Sequence, residues 1–214
     1  PQGQVNIYRL RSMASEDRDA SEPIVFRQGK SNAVVSEYQG TTDTLLLGGD
    51  QADQKKDNGG KFLVVGKKHG RPQRALMRFD LRVLQGLVDE VKGAELVLPT
   101  GWLKRDPTLQ VYEITKADSD WSATKSSWNE KRPGVPWQGG PGGGEPGDGS
   151  YAASPIATVE DPSGKPKVNI PADVVKKWIR GENPGLLLRC KGDGRLTIRS
   201  NNAHSLKVYV KLKD

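Results

Sequence analysis

The feature that most constrains this chain is a ladder of short apolar runs, most of them cut off within three residues by Gly, Pro, Asn or Asp. They fall at residues 44–47, 62–65, 74–81, 94–98, 108–114, 155–159, 167–170, 186–189, 196–199 and 206–212. Runs of about four to eight residues at roughly 8–12-residue spacing are the signature of an all-β sandwich. Residues 74–81 show the period-2 pattern best: Ala75, Met77, Phe79 and Leu81 fall on one face, and Arg74, Arg78 and Asp80 on the other. The apolar face is expected to point inward. Only residues 172–179, after Pro171, place apolar residues (Val174, Val175, Trp178) on a helical stripe. Gly192-Asp193-Gly194 reads as a tight turn between two closing strands. Strands do not alternate with helices and no long repeat occurs, so the expected fold is an antiparallel β-sandwich with one short helix.

Composition narrows the classes of function. No run of about 18 apolar residues exists, so no helix of this chain spans a membrane. Cys190 is the single cysteine, which excludes an internal disulfide framework; beside Leu188 in a strand it reads as a small core residue. With 33 Lys+Arg against 26 Asp+Glu, the net charge of +7 points to an acidic partner: nucleic acid, an anionic polysaccharide or a membrane surface. Residues 139–149 hold seven glycines and two prolines and read as an exposed loop. Residues 1–41 carry two apolar segments, 5–10 and 24–26, ahead of the strand ladder. They read as an N-terminal extension, either a strand-forming arm or extra edge strands, to a domain covering 42–214.

The sequence offers little for catalysis. His69 and His204 are the only side chains that titrate near neutral pH without perturbation, and no nucleophile elbow, zincin helix or phosphate loop occurs. Tyr112, Arg74 and His69 are the residue types a uronate lyase would use, but nothing in their spacing unites them. Binding is better served. Trp102 and Trp137 flank loops with no evident packing demand and are candidates for stacking on a ligand. Arg74 and Arg78 share one strand face, Arg195 and Arg199 share another, and Arg189 lies in the strand between. If those strands are neighbours, the guanidiniums line one sheet face and grip carboxylate or sulfate groups in bidentate fashion. The alternative is that they are solvated, or paired with Asp80 and Glu95. Asp50, Asp53, Asp57 and Asn58 crowd hard oxygens into one polar loop, a candidate structural Ca²⁺ site without EF-hand spacing; an ordinary polar loop is the competing reading.

An ordered series of motifs resembles the DNRLRE (disaggregatase-related) domain family, which overlaps alginate-type carbohydrate-binding modules. Residues 74–81 (RALMRFDL) are similar to the family's "RALLRFDL" strand. Residues 94–98, 111–115, 120–122 with 127–133, 173–178 and 183–189 follow in the family's order, so the likeness runs from Thr42 to Lys213. The 139–149 insertion, Asn201-Asn202 and residues 1–41 depart from it. The resemblance implies a jelly-roll connectivity, an extracellular or cell-surface prokaryotic setting, and an ancillary role. It also implies that Trp121 and Trp128 serve packing, because they match recurrent positions.

These readings converge on a non-catalytic carbohydrate-binding module for an acidic, alginate-like polysaccharide or cell-surface glycan. The alternative is a structural subunit of a surface layer, filament or matrix, self-assembling through residues 1–41. Nucleic acid ranks third, because basic clusters are short and no helix-turn-helix pattern occurs.

Overall fold

The computed structural model describes residues 25–28, 33–38, 41–55, 62–182, 184–199 and 205–213. The strands are β1 (Val25–Gln28), β2 (Ala33–Tyr38), β3 (Thr41–Leu47), β4 (Phe62–Lys68), β5 (Arg71–Phe79), β6 (Val88–Val97), β7 (Thr100–Lys104) and β8 (Thr108–Glu113). They continue with β9 (Glu130–Arg132), β10 (Val135–Pro136), β11 (Ala157–Val159) and β12 (Lys167–Ile170). Helix α1 (Ala172–Ile179) precedes β13 (Leu186–Lys191), β14 (Arg195–Arg199) and β15 (Ser205–Leu212).

All pairings are antiparallel. One sheet has the order β1-β2-β15-β6-β12. The larger runs β11-β8-β13-β5-β4-β14-β7, with β3 also paired to β5, and β9-β10 form a small separate hairpin. The chain crosses between the two large sheets at β2–β3, β5–β6, β6–β7, β11–β12, β12–β13 and β14–β15, the connectivity of a jelly roll. The fold is therefore an all-β antiparallel sandwich. Within the expected extension, β1 and β2 add to the edge of the smaller sheet, with β2 paired to β15 of the same chain. The apolar segment at 5–10 lies outside the described residues.

The main core is built as the alternation requires. Ala75, Met77, Phe79 and Leu81 are fully buried together with Leu96, Val111, Leu186, Leu188, Leu196 and Val208. Pro171 opens α1, where its missing N–H costs nothing. Val174, Val175, Trp178 and Ile179 form the helix's buried stripe, and Trp178 stacks on Phe79 with ring centroids 5.2 Å apart. Cys190 sits in the same core, its Sγ 3.4 Å from the Val65 carbonyl.

A second core lies on the outward face of the large sheet. Leu46, Leu76, Tyr112, Ile114, Trp121, Trp137, Tyr151 and Leu187 are buried there under an excursion of the chain between β8 and β11. This face explains two leucine triplets. Leu45 and Leu47 alternate with Leu46, and Leu186 and Leu188 with Leu187, so both faces of β3 and β13 need apolar cover.

The glycine-rich stretch 139–149 is exposed at Pro141, Glu145, Gly147 and Asp148, as expected of a loop, while its middle belongs to that cover. Gly142 and Gly143 are buried, and Arg74 donates to the carbonyls of Gly142 (2.6 Å) and Gly144 (2.5 Å). Glycine is required here by close approach: a Cβ on Gly142, at φ +68°, would lie 2.5 Å from the Trp128 ring. Loop backbone cannot be buried without partners for its carbonyls, and the arginine supplies them.

Candidate functional site

The strand β14 reads Arg195-Leu196-Thr197-Ile198-Arg199, with Leu196 and Ile198 buried in the main core. Its other face therefore points outward, between β4 and β7. Opposite Arg199 on β4 is Phe62, and opposite Arg195 on β7 is Lys104. Between them the register of β7 shifts, so that Gly101 and Trp102 together face Thr197. This bulge turns Trp102 outward. Its backbone N–H donates to Thr197 Oγ1 at 3.1 Å, and a Cβ on Gly101 would come within 2.4 Å of that oxygen.

The result is an aromatic and cationic platform. Trp102 is 49% exposed and Phe62 50%. The Arg195 guanidinium lies 4.5 Å from the centroid of the Trp102 ring, a cation–π contact that holds both groups flat on the sheet. Arg195 and Lys104 are like charges directly opposite each other, an arrangement that costs free energy. Among the described residues no carboxylate forms an ion pair with Arg195, Arg199 or Lys104, and Arg195 Nε is buried without a hydrogen-bond partner. Lys104 also lines a neighbouring cleft of about 190 Å³ with Arg105, Asp106, Glu160 and Asp161, so charges of both signs meet there.

The expected arginine face is thus divided. The strands do neighbour one another, in the order β13-β5-β4-β14. Arg74, Arg78 and Arg189, however, are engaged by the excursion and anchor that cover. Arg74 is 7% exposed, reaches Glu145 at 3.2 Å, and lies over the rings of Trp128 (5.2 Å) and Tyr151 (5.8 Å). Desolvation lowers its pKa, and the charges of Tyr151 and Glu145 oppose that. Arg189 donates to Glu145 (2.7 Å) and to the Tyr151 hydroxyl (2.9 Å). The Tyr151 phenol, raised in pKa by burial, in turn donates to the Gly144 carbonyl. Arg78 donates to the Ser119 carbonyl at 2.6 Å and sits 4.4 Å over Trp121. Trp121 is buried, its indole N–H donating to the Pro184 carbonyl, and Trp128 is half-buried.

Trp137 lies inside the second core. It is 4% exposed, and its indole N–H donates to the Ser127 carbonyl at 3.0 Å, so it packs rather than stacks on a ligand. Asp80 pairs with Arg82, and Glu95 with Lys167. Tyr112 is buried in the second core and His69 occupies the exposed β4–β5 turn. Of the candidate Ca²⁺ ligands, Asp50 pairs with Arg71 at 2.8 Å and Asp53 accepts from Asn129 at 2.6 Å. Asp57 and Asn58 lie outside the described residues, and among the described residues no group of three acidic, His or Cys side chains is placed to hold a metal.

Phe62 did not stand out in the sequence. Its signal was the alternation of 62–65, which puts Phe62 and Val64 opposite the buried Leu63 and Val65. The sequence matches none of the protein-family models and no curated protein.

Proposed function

We propose that this chain is a non-catalytic, extracellular β-sandwich module that binds an anionic polysaccharide through the outward face of β4, β14 and β7. The observation that carries this reading is Trp102, half exposed and stacked with Arg195 beside cations that lack carboxylate partners among the described residues. A flat indole suits the apolar face of a pyranose ring, and a guanidinium suits the carboxylate or sulfate that distinguishes an acidic sugar. The net charge of +7 favours the same class of ligand. The ordered resemblance to DNRLRE domains supports a secreted, ancillary setting.

Affinity electrophoresis in gels containing a polyuronate, a sulfated polysaccharide or neutral dextran tests this. Retardation is expected in an acidic gel at low salt and not in dextran, and Trp102→Ala and Arg195→Ala are each expected to abolish most of it. Free migration of the native chain in every acidic gel overturns the reading. A structural role through residues 1–41 is the second reading. The pairing of β2 with β15 within one chain supports an arm that folds back on its own sheet. Unchanged assembly after deletion of residues 1–22 counts against that role.

A further inference from the structure

The platform has two aromatic surfaces, and their placement specifies how much polymer it takes. Phe62 stands opposite Arg199, on one side of β14. Trp102 stands beside Thr197, on the other side. The two residues are therefore separated by two interstrand steps and by about two residues along the strand. With strands about 4.8 Å apart and a rise of about 3.3 Å per residue, that is a diagonal of roughly 12 Å. Arg199 and Arg195 flank the diagonal on the same face of β14, one near each aromatic ring.

We infer that the ligand is an extended acidic oligosaccharide lying diagonally across β4, β14 and β7. It stacks one ring on Phe62 and a later ring on Trp102, with Arg199 and Arg195 taking the anionic groups along the way. This rests on the carbohydrate reading above and adds to it a second contact and a minimum length. The two ring centres of a disaccharide lie too close together to reach both aromatic surfaces. A tetrasaccharide reaches both. Simultaneous engagement makes the second contact intramolecular, so affinity rises steeply once the span is met and then levels off.

Calorimetric titration with size-defined oligouronates tests the inference. Affinity is expected to rise about tenfold or more from disaccharide to tetrasaccharide and to change little from tetrasaccharide to hexasaccharide. Phe62→Ala is expected to weaken the tetrasaccharide about tenfold while leaving disaccharide binding at Trp102 unchanged. Arg199→Glu, on an exposed strand end, is expected to weaken the tetrasaccharide at least as much without touching Phe62. Circular dichroism confirms that both variants remain folded. Affinity independent of length, or a tetrasaccharide affinity indifferent to Phe62→Ala and Arg199→Glu while Trp102→Ala still abolishes binding, overturns the two-surface inference alone. Absence of binding by any oligouronate overturns the carbohydrate reading with it. Tighter binding of a single-stranded oligonucleotide of equal charge also overturns that reading, because nucleic acid uses the same pairing of aromatic and basic groups.

Discussion

Residues of the same type in this protein have opposite roles, and burial separates them. Arg74 and Arg195 both point outward from alternating strands. Arg74 is buried and satisfies loop carbonyls, whereas Arg195 lies over an exposed indole. Arg74→Ala leaves the Gly142 and Gly144 carbonyls without their donor and is expected to cost about 3 kcal/mol in urea unfolding. Arg195→Ala is expected to stay within about 1 kcal/mol of the native chain, because it gives up a surface cation–π contact and relieves repulsion with Lys104. Equal losses in the two variants would contradict the division of roles. Cys190 makes a different point. Burial pushes its thiol up to about 12. Above the unfolded value of about 8.5, the unfolded chain gives up the thiol proton while the folded chain keeps it, so stability falls as pH rises from there toward 12. Below that range Cys190 contributes no pH dependence. Urea midpoints from pH 7 to 10 are expected to fall less for Cys190→Ala than for the native chain, and parallel slopes would refute this. The folded thiol is likewise expected to resist alkylation until the protein unfolds.

At the scale of elements, the excursion between β8 and β11 decides which sheet surface is available. It brings Trp121, Trp137 and Tyr151 onto Leu46, Leu76 and Leu187, which adds a layer to the large sheet. Lys131, nearly buried, ties its turns together by bonds to Asp118 (3.1 Å), Asp120 (2.8 Å) and the Ala117 carbonyl (2.6 Å). The excursion is tied to the sheet where Arg74 of β5 meets the Gly142 and Gly144 carbonyls, and there Gly142 packs against Trp128 of the same excursion. Gly142→Ala adds a Cβ at left-handed φ and 2.5 Å from that ring, so the stretch is expected to lift from the sheet. Limited proteolysis is expected to cut the variant within 139–149 under conditions that leave the native chain whole. Resistance equal to the native chain would show that Trp128 yields to the added methyl group. The bulge in β7 works in the reverse sense, exposing one side chain where the excursion hides many.

For the whole molecule, the net charge of +7 is less informative than where the unpaired part of it sits. Many surface lysines and arginines are already paired, as Lys67 is with Asp193, Arg180 with Glu182 and Lys211 with Asp89. Arg195, Arg199 and Lys104 have no such partner among the described residues. Binding of a polyanion there is expected to weaken with ionic strength, about tenfold between dilute buffer and roughly 0.5 M salt, as screening shortens the range of the attraction. Arg199→Ala, which keeps Trp102 and Arg195, is expected to flatten that dependence. A native affinity that ignores salt would place the contact elsewhere.

How much of this was legible in the sequence follows from what alternation encodes. It assigned Ala75, Met77 and Phe79 to the interior, placed the stripe of α1 and turned Arg195 and Arg199 outward, because each depends on neighbours only two to four positions away. The leucine triplets at 45–47 and 186–188 also carried the sign of strands covered on both faces, in contrast to the clean alternation of 195–199. What covers an outward face is a separate matter. Arg74 meets Gly142 across 68 residues of chain, and no local pattern marks that pairing. Only the tertiary structure therefore decided that Trp137 packs while Trp102 stays exposed, and that three of the five arginines hold a layer in place. The sequence by itself determined which way the side chains of the alternating strands and of α1 point; the folded chain determined whether solvent or protein was waiting there, and where a bulge turned Trp102 outward, because those contacts are made between segments distant along the backbone.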